Sequence, residues 1–151
     1  MKKAVIALGS NMGGRRGNIE RAIDSLSNIP GTKVLRLSPV YETLPVDMPG
    51  NSRKFLNAVC EVETDLSPHA LLGACLGIEA AMGRVRGRPE EKLSRPIDLD
   101  VLLIEGYSSD DPELTLPHPR MAEREFVLHP LADLFPDGKV YGGQFTIHNL
   151  K

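Results

Sequence analysis

Read in order, the apolar spacing of the chain runs strand, helix, strand, strand, helix, strand. That order predicts an α+β domain of the ferredoxin-like βαββαβ type, an antiparallel sheet with two helices on one face and additional C-terminal elements. Two further observations support it. The chain has 151 residues, 41% of them hydrophobic, which suits a single domain spanning 1–151 with one sizeable core. The segment "FLNAVCEVET" (Phe55–Thr64) also alternates cleanly, with Leu56, Ala58, Cys60 and Val62 on one face and Phe55, Asn57, Val59, Glu61 and Glu63 on the other.

The elements follow from local chemistry. "KAVIAL" (Lys3–Leu8) is a short apolar run stopped by the glycine-rich "GSNMGGRRGN", a strand followed by a turn. Ile19, Ala22, Ile23 and Leu26 lie on one face of a helix that Asn18 could cap and Pro30-Gly31 would end. "TKVLRLS" (Thr32–Ser38) is the second strand, and the proline and glycine content of "YETLPVDMPGNSRK" reads as a long loop. After the third strand, Ser67-Pro68 supplies an N-cap and a first-turn proline for a helix through Met82 that carries Leu71, Leu72, Cys75, Leu76, Ile78 and Glu79. The fourth strand is Ile97–Ile104, with Ile97, Leu99, Val101 and Leu103 facing the helices. The remainder, "HPRMAEREFVLHPLADLFPDG", reads as a loop, a short helix and irregular structure.

Composition excludes several function classes. A net charge of −2 and a pI near 6.1 give no field for a nucleic-acid or anionic-membrane partner. No apolar run is long enough to span a bilayer, and Gly9, Ser10 and Asn11 interrupt the first one too early for a secretory signal, so a cytoplasmic location is expected. Cys60 and Cys75 lack CxxC spacing and read as small hydrophobes. The four histidines show no zinc spacing. The glycine loop lacks the lysine-hydroxyl pair of a Walker sequence.

The chemistry concentrates in "RPIDLDVLL" (Arg95–Leu103). Asp98 and Asp100 share one face of a strand in an apolar run, where two close carboxylates repel and burial resists their ionisation. A divalent cation removes both objections, and hard carboxylate oxygens suit Mg²⁺, which completes its octahedron with water and phosphate oxygens. Just upstream, "GRVRGRPEEKLSR" places Arg84, Arg86, Arg88, Lys92 and Arg95 beside the acids. Guanidinium forks match phosphate oxygens, so the combination suits a polyphosphate and its transfer. The topology brings the glycine loop, the proline loop, the basic loop, Phe55, Asn57 and both aspartates to one end of the sheet.

Six motifs in order, "ALGSN", "YETLP", "FLNAV", "IEAAMGRVR", "RPIDLD" and "LPHPRMAEREFVLHPL", make the chain resemble the 6-hydroxymethyl-7,8-dihydropterin pyrophosphokinases, over Ala7 to about Leu131. That resemblance implies transfer of the terminal diphosphate of ATP to a pterin alcohol with release of AMP, a step of folate biosynthesis. It implies two Mg²⁺ ions held on ATP by Asp98 and Asp100, and phosphate contacts from Arg86 and Arg95, supported by Arg84 and Arg124. It further implies a nucleotide pocket from Leu72, Glu79, Val101, Thr115 and His118. The flat pterin calls for aromatic faces and directed polar groups, which Phe55, Phe126 and Asn57 would supply, and the resemblance implies Thr43 and the main chain at Leu44 and Val46 along its remaining edge. The expected partners are ATP and a reduced pterin, acting on a monomer. "KLSR" departs from the family's "WGPR" or "APR" before the aspartates, so no role passes to Arg88, and none passes to Glu113. A non-catalytic small-molecule or RNA-binding module is the competing reading, since this fold hosts both. Only Phe55 fits an RNA-recognition sheet.

Overall fold

The computed structural model describes residues 1–43, 54–83 and 96–147. Along the chain it forms β1 (Lys2–Ser10), α1 (Arg15–Ser27), β2 (Thr32–Leu37), β3 (Tyr41–Thr43), β4 (Phe55–Thr64), α2 (Pro68–Ala81) and β5 (Asp98–Ile104). There follow a hairpin of β6 (Ser109–Asp111) and β7 (Leu114–Leu116), α3 (Glu125–Leu134), and a small hairpin of β8 (Lys139–Val140) and β9 (Phe145–Thr146). The protein is α+β. Its main sheet has the order β2-β4-β1-β5, with β3 also on β4, and every pairing is antiparallel. No helix among the described residues is long and apolar enough to cross a membrane.

The sheet is covered on both faces. Ile19, Ala22 and Leu26 of α1 and Leu71, Cys75 and Ile78 of α2 pack on Ile6, Leu8, Cys60 and Val62. Val127, Leu131 and Leu134 of α3 pack on Val5, Val59, Leu102 and Leu103 from the opposite side. Cys60 and Cys75 are free and buried in the first layer, as small hydrophobes would be. Burial pushes the Cys75 thiol up to about 12, with the nearby Glu79 and Asp100 charges adding to it.

Three local expectations need correction. Leu103 does not face the first two helices. The register of β5 on β1 shifts, with Val5 opposite Leu103 but Ile6 opposite Val101, so Leu102 is an extra residue and Leu102 and Leu103 both turn to the α3 side. Such a bulge is invisible to a period-two pattern in a strand apolar on both faces. Asn18 does not cap α1. The helix begins at Arg15 after Gly14, and Asn18 is buried in its first turn, where Nδ2 donates to Ser10 Oγ at 3.1 Å and to the Met12 carbonyl at 2.8 Å. It ties the glycine turn to the end of β1.

The third correction concerns Tyr41–Thr43, which is strand and not loop. β2 and β3 pair with successive stretches of β4 and are separated by Ser38-Pro39-Val40. Pro39 has no N–H to give the ladder. Ser38 bridges the break: its N–H donates to the Val59 carbonyl and its Oγ accepts from the Val59 N–H, both at 2.9 Å. At α2 the expected cap is present, with Ala70 N–H donating to Ser67 Oγ at 3.2 Å.

Candidate active site

Register fixes which side chains share the site. Asn57 stands opposite Gly9, and Gly9 stands opposite Asp98. In the next row Val59 stands opposite Ala7 and Ala7 opposite Asp100, while Thr43 stands opposite Phe55. Directly opposed residues project from the same face. Asp98, Asp100, Asn57, Phe55 and Thr43 therefore converge on the α3 side of the sheet, at the end where β1 stops and β4 and β5 begin.

Gly9 makes the middle of this surface a trough. With strands about 4.8 Å apart, Asn57 and Asp98 are roughly 10 Å apart in backbone position, and nothing projects between them. A Cβ at Gly9 would stand 3.0 Å from Asn57 Nδ2 and 3.5 Å from Phe55 Cδ1. Thr43 Oγ1 donates to Asn57 Oδ1, which fixes the carboxamide with Nδ2 toward the trough. Asn57 is buried, so this orientation is held by packing as well as by the bond.

The other wall comes from the segment leading into α3. Phe126, partly buried, packs on the same cluster as Ala7. The Arg124 guanidinium lies 5.7 Å from the Phe126 ring centre, and its Nη1 is 3.7 Å from Asp100 Oδ2. His118 donates its backbone N–H to the Leu102 carbonyl at 2.8 Å, which docks it on β5. Burial, then the charges of Arg124 and Arg120, hold its imidazole below the usual range, against the pull of Asp98. It is therefore neutral at pH 7.

Below the aspartates, α2 holds β5 in place. Glu79 is almost fully buried, and its Oε2 accepts the Leu99 N–H at 2.7 Å, the amide between the two acids. Val101 is buried on the helix side, with Leu72 packed against the same cluster. Thr115 on β7 donates from Oγ1 to the Asp111 carbonyl at 3.0 Å. The expected residues thus fall into two groups around β5. One is the trough with Asp98, Asp100, Asn57, Phe55, Thr43, Phe126 and Arg124. The other, on the helix side and in the neighbouring hairpin, is Leu72, Glu79, Val101 and Thr115. Leu44, Val46, Arg84, Arg86 and Arg95 lie outside the described residues.

Sequence reasoning gave no role to Gly9 or Tyr41 and read Asn18 only as a helix cap. For Gly9 a signal existed, a glycine in register with Asn57 and Asp98, but it emerges only once strand pairing is known. His69, Asp111 and Glu113, all exposed, bring ligand atoms within 4.8 Å of one another, and His69 Nε2 is 3.1 Å from Asp111 Oδ2. No zinc spacing had marked them.

Comparison with solved structures defines the class first. A crystal structure of an HPPK-DHPS in complex with substrates superposes with a TM-score of 0.68 at 14% identity, over 97% of this chain and 44% of that one. The Plasmodium falciparum HPPK-DHPS with pteroate gives a TM-score of 0.70 at 17% identity, over 96% of this chain and 41% of that one. At those identities the likeness establishes the fold, shared with part of a longer polypeptide.

Sequence comparison is more specific. The chain is 44% identical over 146 residues to the 2-amino-4-hydroxy-6-hydroxymethyldihydropteridine pyrophosphokinase of Methylorubrum extorquens, covering 95% of this chain and 89% of that protein. It is 38% identical over 144 residues to the Pseudomonas aeruginosa protein of the same name, covering 95% and 87%. The folic acid synthesis protein fol1 of Schizosaccharomyces pombe is 45% identical over 139 residues, 90% of this chain but 18% of that longer protein. The family model for 7,8-dihydro-6-hydroxymethylpterin-pyrophosphokinase (HPPK) matches residues 5–136, and the chain belongs to that family, the pyrophosphokinases of folate biosynthesis. A non-catalytic module is not the favoured reading.

Proposed function

We propose that this chain, a monomeric cytoplasmic domain of ferredoxin-like topology, transfers the terminal diphosphate of ATP to the hydroxymethyl oxygen of 6-hydroxymethyl-7,8-dihydropterin and releases AMP. The observation that carries the reading is the row Asp98, Gly9, Asn57 across three strands. It sets a carboxylate pair and an oriented carboxamide on either side of a trough with no side chain at its floor.

The pterin lies in the trough between Phe55 and Phe126, with Asn57 and Thr43 facing its hydrogen-bonding edge; the family pattern assigns Leu44 and Val46, outside the described residues, to the same substrate. The nucleotide lies at β5, which is the end strand of the sheet among the described residues, with its phosphates on the Asp98 and Asp100 side. Leu72, Glu79, Val101, Thr115 and His118 bound its remainder. The donor set fits Mg²⁺, since Asp98 and Asp100 are hard oxygen ligands on one face. Asp98 and Asp100 would hold two such ions, which would supply positive charge to offset the negative charge that develops during transfer.

The chain's own groups act mainly by placement. Arg124 sits where it can contact both Asp100 and a phosphate, and Arg86, Arg95 and Arg84 add positive charge from the basic segment. The substrate hydroxyl is held in line with the β-phosphorus and gives its proton to solvent as the new O–P bond forms, while the bond from the β-phosphorus to the α,β-bridging oxygen breaks and that oxygen leaves with AMP. Neutral His118 adds no repulsion toward Arg124.

The direct test is a product assay with ATP, Mg²⁺ and the reduced pterin alcohol. AMP and a pterin diphosphate are expected. ADP, or no nucleotide product, would contradict the proposal.

A further inference from the structure

The two walls of the trough are joined at a point away from the reacting atoms. Tyr41 lies opposite Asn57 on β3, two residues before Thr43 and on the same strand face. Its hydroxyl donates to Asp133 Oδ2 in the last turn of α3, and its ring centre is 6.3 Å from that of His129. Phe126 is seven residues before Asp133 on the same helix, so the two lie on one stripe about two turns apart. Each end of the bond is thus linked through regular structure to one wall, Thr43 and Asn57 on one side and Phe126 on the other.

We infer that the Tyr41–Asp133 hydrogen bond is a clasp that sets the separation between Phe126 and the Thr43–Asn57 pair, making Tyr41 and Asp133 positioning residues for the flat ring system. The inference rests on the pterin reading of the trough and deepens it. Neither residue touches the ring. A flat ligand held between opposing surfaces is sensitive to their separation, because dispersion contact falls away within an ångström of the optimum. Asp98 and Asp100, where the nucleotide's phosphates lie, are carried by β5, which the Leu99–Glu79 bond anchors on α2. Losing the clasp therefore weakens pterin binding selectively. The bond is exposed but has a carboxylate acceptor, which strengthens it relative to a neutral pair and raises the phenol's pKa.

The test compares wild type with Tyr41→Phe, Asp133→Asn and the double variant in the full chain. Steady-state kinetics are measured for both substrates, and pterin is titrated in the presence of Mg²⁺ and a non-hydrolysable ATP analogue. Each single variant is expected to raise the pterin KM and Kd about threefold to tenfold, the size of one intramolecular hydrogen bond. The double variant is expected to be no worse than the weaker-binding single one. KM for Mg-ATP stays within about twofold, in line with that selectivity. Unchanged pterin binding, additive effects, or equal weakening toward both substrates would overturn the clasp. A wild-type chain that binds no pterin would overturn the reading of the trough and the clasp with it, whereas wild-type binding with indistinguishable variants overturns the clasp alone.

Discussion

The backbone N–H of Leu99 donates to the carboxylate of Glu79 across 2.7 Å, so an acid nearly sealed from solvent on α2 anchors the strand residue between Asp98 and Asp100. An end strand otherwise has little to fix its outer backbone groups. Replacing Glu79 with Leu leaves that amide without this acceptor. The expected cost is about 1–3 kcal/mol of stability, together with weaker metal-nucleotide binding. Glu79→Gln keeps an acceptor oxygen and should lose less of both. Thermal denaturation and Mg-ATP titration of the two variants check this ordering.

Gly9→Ala tests the trough itself. The added methyl group would stand 3.0 Å from Asn57 Nδ2, so the carboxamide must shift or the ring must rise from the sheet. Pterin affinity should fall by at least about tenfold, equivalent to about 1.4 kcal/mol. Mg-ATP affinity should change little. Calorimetric titration with each ligand separates the two.

His118 gives a pH signature. Burial and the neighbouring arginines hold its pKa below the ordinary 6.5, so between those values the unfolded chain binds more protons than the folded one. Its contribution to stability is complete above 6.5 and is lost as pH falls toward the depressed folded value. His118→Gln should therefore lose less stability than wild type between pH 7 and about 5. Denaturant unfolding at a series of pH values measures the difference.

Glu61 makes a prediction about the C-terminal tail. Its buried carboxylate accepts from Arg36 Nε at 3.0 Å and from the Tyr141 hydroxyl at 2.8 Å, while Arg36 lies over the Phe135 ring at 4.7 Å. Tyr141→Phe removes one bond to a charge inside the fold and should cost about 1–2 kcal/mol, with turnover per folded molecule unchanged. Chemical denaturation and an activity assay together decide it.

These residues also show what was legible in the sequence. Ser67-Pro68 and the alternation of Phe55–Thr64 were readable because capping and strand period are local chemistry. The aspartate pair stood out because two charges broke an apolar run. The Leu102 bulge was hidden, since β5 is apolar on both faces and a one-residue slip leaves the pattern unchanged. Asn18 looked like a cap because Arg15, Arg16 and Gly17 give helical periodicity nothing apolar to register. β3 is too short to show alternation and lies between prolines, so only its pairing with β4 reveals it. Glu79 carried the right position, but its bond to Leu99 depends on how α2 crosses β5, which no spacing encodes.

In the proposed reaction Asp98 and Asp100 hold divalent ions on the nucleotide's phosphates. Manganese titration by electron paramagnetic resonance, with a non-hydrolysable ATP analogue present, tests it most directly. Two bound ions per chain are expected in the wild type, with loss of tight binding in Asp98→Asn/Asp100→Asn and the fold intact by circular dichroism. A double variant that binds the same number of ions as tightly as wild type would contradict it.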